Sequence, residues 1–347
     1  MMKRYLLLSV LLCVSYYSSA MHIKQIDDGV WVAIQPEQER FDDSNSLIVR
    51  GEQGVMIVDS QQSRDDVETL IHFVRQQIGQ PITLLINTHW HGDHTQGNAL
   101  YKQVYGDALT ILGHTSHEED VPGRAAKALQ ERISGLQEQL ILARSQLEKG
   151  QKLDGSVLSA AEATAQAQRI EQAQAWVDAN QHAKFVAADK FIDAPFDLSE
   201  YGFAARVLPL SGHTRADLAV YLPEQKLLAC GDLVDTVPYV GHGDPRQWLS
   251  SLETIGQLPV AYWLPGHGEL LRNNTLLDDI NHYLHALLQQ VSQHAHLGEQ
   301  ALSQHVDLTD SRTRLTGDDP LKQRFFDAIA EEAILQTYQT EHAAAKK

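Results

Sequence analysis

Cysteine is scarce in this sequence, with only Cys13 and Cys230 among 347 residues. At most one disulfide can form within the chain, so its stability has to come mainly from buried apolar side chains. Basic residues are also under-represented, because 28 Lys and Arg oppose 45 Asp and Glu and leave a formal net charge of −17. Such a charge repels phosphate groups, and no basic stripe interrupts it. We therefore expect neither a nucleic acid nor an anionic membrane surface as a partner.

A hydrophobic run long enough to span a bilayer is absent as well. The most apolar segment, Tyr5–Val14, has ten residues, about half of the 20 that a membrane-spanning helix needs. It follows Lys3 and Arg4 and precedes small and aromatic residues that end at Ala20. This is the pattern of an export signal, so we expect residues 1–20 to be a signal peptide.

Removal of that signal would leave a chain of residues 21–347 in the periplasm or outside the cell. The net charge of this chain would be −19, because two basic residues are lost with the signal. Cys230 would remain without an internal disulfide partner, and Cys230 itself is expected to be a small buried hydrophobic residue.

Short apolar runs separated by turn residues predict a β-rich fold on both sides of a helical segment. The predicted strands are Val30–Ile34, Ser46–Val49, Gly54–Asp59, Ile82–Ile86, Lys184–Ile192, Phe203–Leu210, Asp217–Leu222 and Lys226–Cys230. Apolar residues at three- and four-residue spacing predict a helix over Asp65–Ile78. The pattern after Trp248 is mainly helical, most clearly over Leu276–Gln293 and Leu321–Tyr338, and the tail 341–347 is expected to fray.

Residues 117–184 interrupt this pattern with a composition rich in Ala, Gln, Glu and Leu. Leucine and isoleucine recur at coiled-coil-like spacing between Leu129 and Leu147, and a second helical stretch follows the turn at 150–155. We interpret 117–184 as an inserted helical hairpin. The hairpin is expected to be either a structural or dimer-forming arm or a lid over the active site.

Four potential metal ligands follow the apolar strand Ile82–Ile86 within six residues: His89, His91, Asp93 and His94. A loop directly after a buried strand can turn several side chains toward one point. Neutral imidazole and carboxylate suit a borderline cation such as zinc. The motif therefore predicts a metal site.

Three later segments each place one further candidate ligand beside glycine, just after an apolar run. They are Gly212-His213-Thr214, Cys230-Gly231-Asp232 and Pro265-Gly266-His267-Gly268. Glycine permits the tight backbone that is needed where a strand end directs a side chain into a crowded site.

The motif from His89 to His94 and the three later segments, in this order, resemble the motifs of the metallo-β-lactamase-fold hydrolases. The resemblance implies an α/β fold, an αββα sandwich with the helical hairpin inserted and two Zn²⁺ ions per chain at one edge. On the family pattern, His89, His91 and His213 match the first zinc site, Asp93, His94 and His267 match the second, and Asp232 bridges both. His114 and His117 are not expected to be ligands, and Trp90 is expected to pack.

Departures from individual branches narrow the expected activity. The commonest β-lactamases have Cys where this chain has Asp232, and the oxygen-reducing diiron members have Glu at the place of His91. The ligand set resembles those of glyoxalase II and lactonases, while His94 is shared with a His-rich subclass of β-lactamases. The family mechanism implies that zinc-bound hydroxide attacks a carbonyl and that Asp93 holds this hydroxide.

Three residues outside the ligand set are also candidates. Asp59 ends a strand, and it either orients a ligand histidine from below the metals or forms a turn. Tyr239 and His242 follow Asp232 in a loop and are candidates for substrate contact.

An exported enzyme of this kind would act on a small molecule, and the expected compartment favours a β-lactam, whose hydrolysis is associated with antibiotic resistance. Lactone or thioester hydrolysis is the second expectation. A catalytically silent metal-binding assembly protein, with the hairpin as its partner surface, is the third.

Overall fold

The computed structural model describes residues 21–344, so the expected signal at 1–20 lies outside the described residues. Two β-sheets form the centre of the fold. The strands are β1 His22–Asp27, β2 Val30–Ile34, β3 Ser46–Arg50, β4 Val55–Val58, β5 Ile82–Ile86, β6 Thr110–His114, β7 Lys190–Ile192, β8 Phe196–Asp197, β9 Arg206–Leu210, β10 Asp217–Leu222, β11 Leu227–Gly231 and β12 Tyr262–Pro265.

The first sheet has the order β1-β2-β3-β4-β5-β6-β7, antiparallel as far as β4 and parallel from β4 to β7. The second has the order β12-β11-β10-β9-β8, with β11 and β12 parallel and the other pairs antiparallel. As a result, β9, β11 and β12 run in the same direction, and their carboxyl ends lie at one edge of the second sheet.

Eleven α-helices lie within residues 21–344. They are α1 Arg64–Phe73, continued by a wider turn over Val74–Ile78, α2 Gly92–Thr95, α3 Asn98–Tyr105, α4 His117–Asp120, α5 Ala126–Lys149, α6 Ala160–Asn180, α7 Pro245–Gly256, α8 Thr275–His294, α9 Glu299–Leu302, α10 Thr309–Thr316 and α11 Pro320–Ala344. Within residues 21–344, no helix is both long and apolar enough to cross a membrane.

Strand β5 is buried on both faces, as expected in a fold of four layers in the order helices, sheet, sheet and helices. Leu84 and Ile86 belong to the core between the two sheets, whereas Ile82 and Leu85 belong to the core under α1 and α3. All four side chains are fully buried. A third core packs the second sheet against α7, α8 and α11. The predicted α/β sandwich is confirmed.

Residues 117–184, the predicted insertion, contain two long helices, α5 and α6, packed through their own apolar cluster. Helix α5 ends at Gly150, whose left-handed φ of 62° stops the helix. Helix α6 begins with a capping box between Ser159 and Glu162. Each helix therefore has its own stop or start signal, and the pair buries a continuous stripe between them.

Several predicted elements differ from the structure. The strand predicted over Lys184–Ile192 is confined to Lys190–Ile192, and β1, β6, β8 and β12 were not predicted. Of these strands, β6, β7, β8 and β12 have five or fewer residues. They depend on pairing with another strand, which local propensity does not encode. The predicted fraying from residue 341 is wrong for 341–344, because α11 continues to Ala344 and Glu341 pairs with Arg246 at 2.6 Å.

Close packing at Gly97 holds the segment after β4 against α2. A Cβ atom at this position would lie 2.1 Å from the Ser60 carbonyl oxygen, and the Gly97 N–H donates to Gln61 O at 2.7 Å. We expect Gly97→Ala to lower the free energy of unfolding by about 1–3 kcal/mol. The added methyl group would clash with the backbone of Ser60, which cannot move as easily as a flexible side chain. Urea unfolding followed by circular dichroism measures the change.

Gly256→Ala is the matched control. A Cβ atom there meets no atom within 4 Å, so we expect a change of at most about 1 kcal/mol, in the stabilising direction. Equal unfolding midpoints for Gly97→Ala and the parent protein would contradict the packing argument.

Candidate metal centre

The candidate ligands lie at the carboxyl ends of strands from both sheets. His89, His91, Asp93 and His94 follow β5 and enter the short helix α2. His213 follows β9, Asp232 follows β11, and His267 follows β12. Because β9, β11 and β12 run in parallel, their ends bring three ligands from distant parts of the sequence to one edge.

One group of four side chains comprises His89, His91, His213 and Asp232, whose potential ligand atoms all lie within 4.8 Å of one another. His213 Nε2 lies 3.1 Å from His91 Nδ1 and 3.3 Å from Asp232 Oδ2. His89 Nε2 lies 3.6 Å from the same carboxylate oxygen. Three imidazole nitrogens and one oxygen therefore face a common point.

A second group comprises Asp93, His94 and His267. Asp93 Oδ2 lies 3.1 Å from His267 Nε2 and 3.3 Å from His94 Nε2. The other oxygen of Asp232, Oδ1, lies 3.1 Å from His94 Nε2 and 3.7 Å from His267 Nε2. Asp232 thus presents one oxygen to each group.

The donor atoms themselves test whether a cation fits here. His89 Nε2, His94 Nε2 and Asp232 Oδ1 are buried, and none of them makes a hydrogen bond of normal geometry among the described residues, although His94 Nε2 and Asp232 Oδ1 lie 3.1 Å apart. Such orphaned atoms are costly unless something else binds them. Imidazole nitrogens and carboxylate oxygens suit a borderline divalent cation such as zinc, so the residues fit a metal.

Contacts with backbone carbonyls fix two of the imidazole rings. His213 Nδ1 donates to Tyr239 O at 3.1 Å, and His267 Nδ1 donates to Arg40 O at 3.0 Å and to Asp43 O at 3.1 Å. With Nδ1 protonated, the Nε2 lone pair of a neutral ring is available to a metal.

Comparisons with known proteins agree with this architecture. The family model of the metallo-β-lactamase superfamily matches residues 40–148. The mono-zinc form of a metallo-β-lactamase from Pseudomonas aeruginosa superposes with a TM-score of 0.53 at 15% identity, covering 77% of this chain and 95% of that protein. A metallo-β-lactamase from Erythrobacter litoralis gives 0.53 at 14% identity, covering 78% and 98%. The chain has the metallo-β-lactamase fold.

A sequence relative adds a second line of similarity over a shorter stretch. A hydroxyacylglutathione hydrolase from Synechococcus sp. (strain JA-3-3Ab) is 37% identical over 99 residues, which are 26% of this chain and 38% of the relative. The chain therefore matches well under half the length of that curated relative. The resemblance read from the motifs is confirmed at the level of the fold.

Burial and neighbouring charges divide the histidines of this metallo-β-lactamase fold into two kinds. Burial lowers the pKa of His89 and His91 well below the ordinary value, and that of His213 to about 4. These rings are neutral at pH 7 and suited to metal binding.

The second group behaves differently. Burial also lowers the pKa of His94 and His267, but nearby carboxylates, Asp232 foremost, outweigh it and raise both values well above the ordinary one. The histidines in turn lower the pKa of Asp232 and Asp93 against the effect of burial. A cation bound among these groups would displace protons from His94 and His267.

Asp59 lies directly behind the second group. Its carboxylate accepts hydrogen bonds from Thr88 N at 2.8 Å and from the Thr88 hydroxyl, and it lies 2.8 Å from His94 Nδ1. Its φ is 65°, a left-handed conformation that is unusual for a residue other than glycine. Asp59 therefore both turns the backbone after β4 and contacts a candidate ligand.

Tyr239 and His242 lie against the first group. His242 Nδ1 is 2.9 Å from His91 Nε2, on the opposite side of that ring from His213. Tyr239 is partly buried and faces Glu332 of α11, and burial raises the pKa of its hydroxyl. Both side chains are thus placed beside a ligand or behind it, and their substrate contact stays a prediction.

Other histidines and Trp90 lie outside the ligand groups. His117 Nε2 donates to Ala216 O at 3.2 Å, and His117 Nδ1 accepts from His114 N at 3.1 Å. Trp90 is 3% exposed and packs edge-on to His91. Cys230 is buried, and burial raises the pKa of its thiol.

Sequence reasoning missed one buried acid, Asp235. Its carboxylate lies within 4.8 Å of ligand atoms of Asp232 and His267, and burial raises its pKa to about 8. Its only sequence signal is a position three residues after Asp232 in the same loop. Asn45 was also missed, although its amide donates to Pro265 O and Gly268 O and holds the loop that carries His267.

We expect Asp59→Asn to weaken metal binding by about 10- to 100-fold, because the partner of His94 Nδ1 loses its charge. Competition with a chromogenic zinc chelator measures the affinity. Asp28→Asn is the control, since Asp28 pairs with Arg50 on the surface. Unchanged affinity in a folded Asp59→Asn protein would show that Asp59 serves only the turn.

Proposed function

We propose that this chain is an exported metal-dependent hydrolase that holds two zinc ions. The proposed reaction is the attack of water on a carbonyl carbon of the substrate. The observation that carries the proposal is the division of Asp232 between two ligand groups, one oxygen to each. A purely structural zinc site is closed and four-coordinate and has no use for a second, shared group of ligands.

Within this proposal, the seven side chains have separate roles. His89, His91 and His213 hold one ion, Asp93, His94 and His267 hold the other, and Asp232 contributes to both. When bound, paired zinc ions lower the pKa of a coordinated water and polarise a carbonyl oxygen.

Asp93 is the residue best placed to handle the proton of the attacking water. Its side chain is 23% exposed, compared with 6% for Asp232, so Asp93 is the more accessible of the two carboxylates. His94 and His267 lower its pKa well below the ordinary range, which keeps it ionised and able to accept a hydrogen bond. The sequence contains no Gly-x-Ser-x-Gly motif for a serine nucleophile, and the proposed reaction needs none.

A β-lactam is the first proposed substrate, because an exported hydrolase meets cyclic amides from outside the cell. The second proposed class is a thioester or lactone, favoured by the similarity to a hydroxyacylglutathione hydrolase and by Asp232 in place of cysteine. Both classes share a carbonyl carbon as the point of attack and a leaving group that departs with a proton.

We expect the purified chain from residue 21 to hold two zinc ions and to hydrolyse at least one of three probes. The probes are a chromogenic cephalosporin, an acyl-homoserine lactone and a thioester. Metal analysis by mass spectrometry gives the stoichiometry, and absorbance assays give turnover. Extensive chelation should abolish turnover, and added zinc should restore it.

A protein with one tightly held ion and no turnover of any probe would contradict the proposal and favour a silent metal-binding assembly protein. The signal is tested separately, by N-terminal sequencing of the full chain after expression in a Gram-negative host. Recovery of the uncut chain in the cytoplasm would contradict export.

Asp93→Asn should lower kcat by about 100-fold or more, because the ionised carboxylate that holds the attacking water by a hydrogen bond is lost. The zinc content of the variant has to be measured alongside, since Asp93 is also a proposed ligand. Asp65→Asn, at an exposed position in the first turn of α1, is the control and should leave kcat unchanged. Full activity of a zinc-loaded Asp93→Asn protein would contradict the proposed role.

A further inference from the structure

A pocket of about 190 Å³ opens beside Asp93, and the inserted hairpin forms one of its walls. The α2 side of the pocket is contributed by Gly92 and Asp93. The hairpin contributes Leu129 and Arg132 of α5, together with two alanines. The pocket therefore runs from the candidate metal centre to the hairpin.

Direct contacts hold the hairpin in this place. Gln96 Nε2, just after α2, donates to Asn180 Oδ1 at the end of α6 at 2.6 Å. At the base of the hairpin, Arg215 makes a two-pronged ion pair with Asp120 at 2.8 and 2.9 Å. Arg215 lies two residues after His213, so the hairpin is fixed to loops on both sides of the centre.

Arg132 is the one basic residue that lines this pocket. Its guanidinium lies over the ring of Trp176 of α6, 4.3 Å from the ring centroid, which fixes the direction of the charge. Burial raises the pKa of the Asp42 carboxyl in the same pocket to about 7, and the charge of Arg132 opposes this rise, but within residues 21–344 Arg132 makes no hydrogen bond or ion pair. Its five N–H donors are available to a carboxylate, which a guanidinium binds with two parallel hydrogen bonds.

Apolar side chains form a further part of the pocket wall. Phe41 and Phe185 line the pocket together with Leu129. Phe41 is held by stacking on Phe325 of α11, with ring centroids 4.3 Å apart. An occupant of this pocket would therefore have an apolar body, a carbonyl at one end and an anionic group at the other.

We propose that Arg132 binds a carboxylate of the substrate and that the hairpin selects anionic acyl compounds for hydrolysis. The inference rests on the proposed hydrolase function and narrows its substrate class. Arg132 is a specificity-determining residue in this view, and it has no part in the bond-breaking step.

The test compares each acid with its own neutral ester. The two pairs are a chromogenic cephalosporin carboxylic acid with its methyl ester and an S-acyl thioglycolic acid with its methyl ester. For the acids, Arg132→Met should lower kcat/KM by about 10- to 100-fold, chiefly through KM, since a charge-assisted pair is lost. For the methyl esters, kcat/KM should change by less than about threefold.

Two further variants serve as controls. Arg132→Lys keeps the charge but loses the two-pronged geometry, so it should recover part of the preference for acids. Arg144→Met removes the same charge from the same helix, where Arg144 bonds to Gln174 away from the pocket. Arg144→Met should leave both probes of each pair unaffected.

Equilibrium binding of the same probes, measured by isothermal titration, separates this inference from the proposed function. If the wild type turns over neither pair, the hydrolase proposal fails on these probes. The proposal that Arg132 binds a carboxylate is supported independently if the wild type binds the acid more tightly than the ester and Arg132→Met removes this difference in affinity. Equal losses for acid and ester in Arg132→Met, or no binding of the acid by the wild type, would overturn the Arg132 site.

Discussion

The geometry of the candidate metal centre depends on one interaction. The buried carboxylate of Asp232 lies between two groups of histidines and contacts both. Its Oδ1 lies 3.1 Å from His94 Nε2, and its Oδ2 lies 3.3 Å from His213 Nε2. An isolated buried carboxylate would be strongly destabilising, so it has to be compensated by positive charge. Protonated histidines provide this charge in the absence of metal, and a cation provides it more fully when bound.

The two sheets make this contact possible. Strands β9, β11 and β12 end at the same edge, and the loop after β5 reaches that edge from the other sheet. Each sheet is packed on both faces, so the strand ends have little freedom to move apart. The rigid layers keep seven polar side chains close together that would otherwise separate to regain water.

Several weaker contacts refine the geometry around that centre. Asp59 lies behind His94, backbone carbonyls hold His213 and His267, and Asn45 ties the β12 loop to the segment before β3. These contacts do not add ligands. They set which nitrogen of each ring faces inward, and this choice decides whether a lone pair is available to a metal.

The sequence by itself indicated the candidate ligands, the α/β sandwich and the long helices within residues 117–184. The motif from His89 to His94 and the central strand β5 are local patterns, because their spacing and apolarity can be read without tertiary contacts. The capping signals at Gly150 and Ser159 likewise belong to the neighbouring residues alone.

Only the tertiary structure decided what these residues face. Short strands such as β6 and β12 exist because a long-range partner pairs with them, and Glu341 near the end of α11 pairs with Arg246 of α7. The buried position of Asp235 and the approach of His242 to His91 depend on loops that meet across the fold. The presence of Arg132 and Asp93 in the wall of one pocket joins residues about 40 positions apart in sequence. Local propensity carries no information on such distances, since they follow from the packing of whole layers.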